Sequence, residues 1–139
     1  MNDGFRKCSW FIQTVLVYEE MKKCILVYDD ELEILNICRL VLKKHDYQVE
    51  VRATCSDILS DVDLIKPDLI FMDLWIPEIG GAKAVTLLKN SRRTLNIPVI
   101  LFSADSSIKA ICYQIKADGY LEKPFGIHEL VDIAEKYAL

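Results

Sequence analysis

Acidic residues follow two of the apolar runs that predict buried strands. Asp29 and Asp30 come directly after the run Cys24–Tyr28, and Asp73 ends a second run that begins at Leu69. Carboxylates that lie close together repel one another, so all of them stay ionised only around a cation. Oxygen ligands without histidine or cysteine favour a hard ion, and Mg²⁺ is the first choice. A carboxylate beside such an ion can attack a phosphoryl group and hold it as an aspartyl phosphate.

A hydroxyl and an ammonium group follow two later predicted strands. Ser103 ends an apolar run that starts at Val99, and Lys123 comes just after the short run Tyr120-Leu121. In a parallel sheet the carboxyl ends of the strands share one edge, where ligands bind. There a lysine can neutralise transferred phosphoryl oxygens, and a hydroxyl can donate a hydrogen bond to one of them. Each residue alone has an ordinary explanation as a turn or helix-end residue, but their shared edge indicates a functional site.

The elements that would position these groups alternate strictly between strand and helix. After the first strand, apolar residues recur at helical spacing, at Ile34, Ile37, Cys38, Val41 and Leu42. Thr54, with Asp57 three residues on, is predicted to cap the next helix. Five strand–helix units with short connections predict an α/β fold, in which a doubly wound parallel sheet has right-handed crossovers and helices on both faces.

The composition is that of one globular domain. The chain has 139 residues, of which 52% are hydrophobic and 27% charged, and its net charge is −4. No predicted helix carries a basic stripe, so a nucleic-acid surface is not expected. The five cysteines form no Cys-x-x-Cys pair, and Cys24 and Cys38 occupy apolar positions, which indicates reduced packing residues in a cytoplasmic protein. No histidine lies at ligand spacing from a cysteine, so zinc is not expected.

The first residues lie outside the alternating pattern. An apolar stretch there is interrupted by Gln13 and Thr14, is too short and too polar to span a membrane, and is followed by no small-residue cleavage site. We predict an N-terminal extension of unknown structure at residues 1–21 and the domain proper at residues 22–139. The extension is either an added strand or helix, or the result of an upstream start codon read in error. No membrane contact is expected.

Four motifs of the chain together resemble the receiver domain of two-component response regulators. They are Val27-Tyr28-Asp29-Asp30-Glu31, Met72-Asp73-Leu74-Trp75-Ile76-Pro77, Ser103-Ala104 and Lys123-Pro124-Phe125. The resemblance covers residues 22–139, with all the strand–helix units in order. It implies a flavodoxin-like (βα)5 doubly wound parallel sheet with strand order 2-1-3-4-5.

The resemblance implies roles for the residues at the sheet edge. Asp73 is the phosphoacceptor. Asp29, Asp30 and Asp73 hold Mg²⁺ together with the backbone carbonyl of Trp75. Lys123 is the lysine of the family motif, and the peptide bond from it to the following proline is usually cis in the family.

The same resemblance assigns two switch positions. Ser103 stands at the switch hydroxyl position and Tyr120 at the switch aromatic position. Three residues depart from the family pattern without removing a catalytic group. Tyr28 is larger than the usual residue before the acidic pair, Gly126 replaces the common cap of the last helix, and Trp75 is bulky at a variable position near the mouth of the site.

The implied function is a phosphorylation-dependent signalling switch. A sensor histidine kinase or a phosphotransfer protein would donate the phosphoryl group to Asp73, and a downstream protein target would bind the changed face. The domain would not bind nucleic acid, and its only chemistry would be self-phosphorylation and self-dephosphorylation. A homodimer linked to phosphorylation stays open. A stand-alone receiver is favoured over a fragment of a longer regulator, because a fragment does not explain the N-terminal extension.

Two alternative functions stay open on the sequence alone. A phosphohydrolase of the haloacid-dehalogenase kind also combines a nucleophilic aspartate, a hydroxyl, a lysine and Mg²⁺. That chemistry needs a second aspartate two residues after the nucleophile, where this chain has Trp75. A pseudo-receiver would bind partners without phosphate, and the intact set of Asp73, Ser103 and Lys123 argues against it.

Overall fold

Strands and helices alternate along the chain, as the sequence pattern predicts. The computed structural model describes the backbone of residues 3–139 and the side chains of residues 9–19 and 21–139. The elements in chain order are α1 (Asp3–Met21), β1 (Cys24–Tyr28), α2 (Leu32–Lys44), β2 (Gln48–Arg52), α3 (Ile58–Ile65), β3 (Leu69–Asp73), α4 (Gly81–Lys89), β4 (Val99–Ser103), α5 (Ile108–Ile115), β5 (Gly119–Glu122) and α6 (Ile127–Tyr137).

The strands form one parallel sheet in the order β2-β1-β3-β4-β5, which confirms the predicted fold class and strand order. The central strands β1, β3 and β4 are buried along their whole length, because helices cover both faces of the sheet. A strand buried on both faces needs apolar side chains at nearly every position, which explains the uninterrupted apolar runs. The edge strands β2 and β5 are partly exposed.

Two apolar layers lie on opposite faces of the sheet. Tyr28 and Met72 point into the layer formed with α3, α4 and α5. Val27, Phe71 and Phe102 point into the layer formed with α2 and α6, because neighbouring residues of a strand face opposite sides. In that second layer the rings of Phe71 and Phe102 stack with their centroids 4.8 Å apart. This packing fixes the carboxyl ends of β1, β3 and β4 relative to one another.

The start of α3 differs from the prediction. Asp57, not Thr54, is the residue that caps this helix, and its side chain accepts a hydrogen bond from the backbone N–H of Ser60 at 3.1 Å. Cys55 lies between the two candidate caps and forms a parallel bridge with Glu78 of the loop after β3. The bridge keeps the chain non-helical through Cys55, so the helix begins later.

The N-terminal extension contains the helix α1, so a helix rather than a strand occupies it. Met1 and Asn2, which the sequence assigns to the same extension, lie outside the described residues. The end of α1 is tied to the domain, because the Tyr18 hydroxyl donates to Asp46 Oδ2 at 3.0 Å. Among the described helices, none is both long enough and apolar enough to cross a membrane.

Candidate functional site

Three carboxylates meet at the carboxyl edge of β1 and β3. Asp29 and Asp30 follow β1, and Asp73 is the last residue of β3. One oxygen atom of each carboxylate lies within 4.8 Å of the others. Asp29 and Asp73 are buried, whereas Asp30 is exposed. A set of oxygen ligands that opens to solvent on one side could hold a hard cation such as Mg²⁺, which usually keeps several of its waters.

Burial opposes ionisation of the two inner carboxyl groups. The pKa of Asp73 is raised to about 6, first by burial and then by the charge of Asp29, whereas the Lys123 ammonium lowers it. The pKa of Asp29 is also raised, mainly by burial. Its Oδ2 atom is buried and accepts no well-directed hydrogen bond, although Lys123 Nζ lies 2.8 Å away. A cation at this position would compensate the buried charge, so the residues fit a metal.

The ammonium group of Lys123 lies among three carboxylates. Its Nζ atom is 2.8 Å from Asp29 Oδ2, 3.1 Å from Glu31 Oε1 and 3.9 Å from Asp73 Oδ1. Burial would lower the pKa of Lys123, yet these carboxylates raise it above its ordinary value. The lysine is therefore charged at neutral pH. The peptide bond between Lys123 and Pro124 is cis, in agreement with the resemblance.

The loop between β3 and α4 is folded tightly against the end of β3. A Cβ atom at Gly81 would overlap the backbone carbonyl oxygen of Asp73, so only glycine fits there. The backbone N–H of Trp75 donates to Asp73 Oδ1 at 3.3 Å. The Trp75 side chain is 67% exposed, so the indole lies at the protein surface.

Ser103 and Tyr120 occupy different environments. Ser103 is buried at the end of β4, and its Oγ accepts a hydrogen bond from the backbone N–H of Asp105 at 3.0 Å. Its carbonyl oxygen accepts a hydrogen bond from the backbone N–H of Lys123 at 2.9 Å, so serine and lysine are neighbours. Tyr120 pairs with Leu101 on the edge strand β5, and its side chain is 38% exposed. The structure thus brings Ser103 to the lysine and leaves Tyr120 at the outer edge of the sheet.

Two contacts of residues that flank the acidic pair were not predicted from the sequence. Glu31 binds Lys123, and the only signal for this contact was that three acids follow one another after β1. The buried hydroxyl of Tyr28 donates to Asp61 Oδ2 at 2.5 Å. Burial, together with this bond, raises the pKa of Tyr28. The signal for the second contact was the unusual size of the residue before the acidic pair.

The comparison with protein families gives a match over most of the chain. The model of the response regulator receiver domain matches residues 25–135. The chain belongs to this family. Receiver domains are signalling domains of two-component systems, and they interact with sensor kinases and downstream effectors. Because these domains are not classical enzymes, membership in the family sets aside the phosphohydrolase alternative.

Individual relatives agree with this assignment. The chain is 37% identical over 109 residues to the transcriptional regulatory protein KdpE of Mycobacterium tuberculosis, a match that covers 77% of this chain and 47% of that protein. It is 34% identical over 114 residues to the phosphate regulon transcriptional regulatory protein PhoB of Pseudomonas aeruginosa, covering 78% and 48%. The receiver domain described here therefore spans about half the length of these curated relatives.

A solved structure supports the fold. The chemotaxis response regulator CheY4 of Vibrio cholerae superimposes on this chain with a TM-score of 0.77 at 21% sequence identity. The superposition covers 86% of this chain and 100% of that one. At this identity the likeness concerns the flavodoxin-like fold of the receiver domain and not the roles of individual residues.

Proposed function

We propose that this receiver domain is a phosphorylation-dependent signalling switch in which Asp73 accepts the phosphoryl group. A sensor histidine kinase or a phosphotransfer protein is the donor, a downstream protein target receives the signal, and the protein works in the cytoplasm. The switch is the unit of residues 22–139, and we assign it no nucleic-acid binding. The observation that supports the proposal is the approach of the three carboxylates to within 4.8 Å, with Lys123 beside them.

Asp29, Asp30 and Asp73 would hold Mg²⁺, together with the backbone carbonyl of Trp75. When bound, the ion neutralises the repulsion among the carboxylates and draws charge from the phosphoryl oxygens. The buried Asp29 Oδ2 atom, which accepts no well-directed hydrogen bond, supports this assignment.

The Asp73 carboxylate acts as the nucleophile. Because its pKa is about 6, most of the group is ionised at neutral pH. The backbone N–H of Trp75 donates to Asp73 Oδ1, and we assign the attack on phosphorus to the other oxygen, Oδ2. As the new O–P bond forms, the P–N bond of a donor phosphohistidine breaks, and its electron pair stays on the imidazole nitrogen. Lys123 Nζ, at 3.9 Å from Asp73 Oδ1, stabilises the charge on the transferred oxygens.

Ser103 would change its hydrogen bonding when Asp73 is phosphorylated. In the structure its Oγ accepts a hydrogen bond from Asp105, and after phosphorylation its hydroxyl would donate to a phosphoryl oxygen. Tyr120 would then turn into the space that the serine vacates, and the face formed by α5, β5 and α6 would change. This is a shift between two packings that the new hydrogen bond biases. Ser103→Ala should still accept phosphate, while hydrogen exchange over residues 103–121 should respond less to beryllofluoride than in the wild type.

Incubation with acetyl phosphate and Mg²⁺, followed by intact mass measurement, tests the phosphorylation. We expect one phosphoryl group on the wild type, none without Mg²⁺ and none on Asp73→Asn. The matched control is Asp132→Asn, an exposed acid on α6, which should be labelled normally. An unlabelled wild type would make the chain a pseudo-receiver. Labelling of Asp73→Asn would place the phosphoacceptor elsewhere.

A further inference from the structure

The lysine of the candidate site is held by two carboxylates other than the proposed phosphoacceptor. Among the residues that the structure describes, three carboxylates flank Lys123 Nζ: Asp29 at 2.8 Å, Glu31 at 3.1 Å and Asp73 at 3.9 Å. Lys123 donates a hydrogen bond to Glu31 Oε1 and forms a close ion pair with Asp29. A separation of 3.9 Å is too long for a hydrogen bond. The ammonium group is therefore already occupied before any phosphoryl group arrives.

The backbone of Glu31 is fixed between the acidic pair and helix α2. Its N–H donates to Asp29 Oδ1 at 2.9 Å, and its carbonyl oxygen accepts from the N–H of Leu35 at 3.2 Å. Glu31 is the N-cap residue of α2, yet its side chain makes no capping hydrogen bond. The side chain accepts from Lys123 instead, so a residue at the start of α2 is linked to one that follows β5.

Other contacts are enough to hold Lys123 at the site. Its backbone N–H donates to the carbonyl oxygen of Ser103 at 2.9 Å, and the fully buried Asp29 carboxylate lies beside its ammonium group. The Lys123 side chain is 11% exposed, whereas the Glu31 side chain is 61% exposed. A carboxylate that water solvates gains little from an ion pair, so the bond from Lys123 to Glu31 can be broken at small cost.

We propose that Glu31 competes with the phosphoryl group for Lys123 and thereby lowers the affinity of the site for that group. This inference rests on the proposed function, in which Lys123 stabilises the oxygens transferred to Asp73. Because Glu31 already holds the ammonium group, a phosphoryl group gains only the difference between its own attraction and that of Glu31. Glu31 is a positioning residue, since it acts through Lys123.

Binding of beryllofluoride, which imitates the phosphoryl group, measures this competition at equilibrium. With the full chain in Mg²⁺, ¹⁹F NMR distinguishes bound from free beryllofluoride and gives the dissociation constant. Glu31→Gln keeps the size of the side chain and removes its charge, so it should tighten binding about fivefold. The matched control is Glu33→Gln, the same change at an exposed acid in the first turn of α2, which should bind like the wild type.

Glu31→Asp separates competition for the lysine from simple repulsion of the anion. Aspartate keeps the negative charge, but its side chain is one methylene shorter. It is also a preferred N-cap residue, so its carboxylate should turn to the backbone N–H groups of α2 and release Lys123. Competition therefore predicts that Glu31→Asp tightens beryllofluoride binding nearly as much as Glu31→Gln does. Wild-type affinity in Glu31→Asp, with tighter binding in Glu31→Gln, would assign the effect to repulsion and overturn the proposal.

The remaining outcomes also decide between the two proposals. Equal dissociation constants for the wild type and Glu31→Gln overturn the competition, and so does weaker binding by Glu31→Gln, which would make Glu31 a support of Lys123. Equal tightening by Glu33→Gln overturns it as well, because net charge would then be the cause. A wild type that binds no beryllofluoride overturns the proposed function, and this inference with it. The melting temperature of each variant in EDTA shows that the domain is folded.

Discussion

Removing the charge of Asp73 should stabilise the metal-free protein at neutral pH. In the folded state the pKa of this carboxyl group is about 6, mainly because it is buried, whereas it is about 3.9 in an unfolded chain. The folded state therefore binds the proton more tightly than the unfolded state does. Stability is highest with the group protonated, and it is lost as the pH rises from about 4 to about 6. The difference between the two pKa values corresponds to at most about 3 kcal/mol.

Asp73→Asn removes this loss, because asparagine is neutral at every pH. In EDTA at pH 7.5 we expect the variant to be about 1–3 kcal/mol more stable than the wild type in urea unfolding. The lower end allows for Lys123, which loses one of its carboxylate neighbours. At pH 4.5 the gain should shrink to about a third, because the wild-type group is then protonated in the fold and only partly ionised in the unfolded chain.

Mg²⁺ addition and a surface variant serve as controls for the Asp73→Asn measurement. Mg²⁺ binds the folded wild type, so it should raise the melting temperature by mass action and should do so much less in Asp73→Asn. Asp132→Asn removes an exposed charge on α6 and should change stability by less than about 0.5 kcal/mol at either pH. An Asp73→Asn protein that is no more stable than the wild type at pH 7.5, or whose gain does not depend on pH, would refute the electrostatic reasoning.

Three further changes test the surroundings of the site. Gly81→Ala should lower the free energy of unfolding by about 3 kcal/mol or more in urea, because the added Cβ meets fixed backbone. Gly80→Ala has open space around the added Cβ but a φ of 79°, so it should lower that free energy by about 1 kcal/mol. Equal losses for the two variants would contradict the close approach at Gly81. Tyr28→Phe removes the hydrogen bond to Asp61 and should lower the free energy of unfolding by about 1–2 kcal/mol in the same assay. Its control is Tyr113→Phe, which should leave stability unchanged because Tyr113 is 88% exposed. Trp75→Asn should shorten the phosphoryl lifetime, measured by intact mass over time, because an amide can orient the attacking water; an unchanged or longer lifetime would show that the indole does not shield the phosphate.

The central strands could be predicted from the sequence because of where they lie. β1, β3 and β4 are covered on both faces, so burial selects apolar residues at successive positions and leaves a strong pattern. The acidic residues that end β1 and β3 could then be placed at one edge by topology alone. The order of the strands could not be predicted in this way, because strict alternation implies a parallel sheet but does not fix which strands are neighbours. That order came from the resemblance of the motifs.

The start of α3 could not be predicted, because a long-range contact decides it. Thr54 and Asp57 are both good capping residues, and local preference does not separate them. The backbone of Cys55 donates to Pro77 and accepts from Ile79, which lie on the loop after β3. These bonds keep the chain non-helical as far as Cys55 and leave Asp57 as the cap. Nothing in the local sequence around Thr54 reports a bond to a segment more than twenty residues away.

The pairing of Lys123 shows the same limit at the site itself. The sequence places the lysine at the edge where the acids lie, but distances decide which acid it neutralises. In the structure it binds Asp29 and Glu31 closely and stays 3.9 Å from Asp73. Asp73 therefore receives less compensation for its burial, and its pKa is raised to about 6. By the proposed mechanism, a phosphoryl group on Asp73 would bring new negative charge within reach of Lys123, so it would compete with the exposed Glu31 for the same ammonium group.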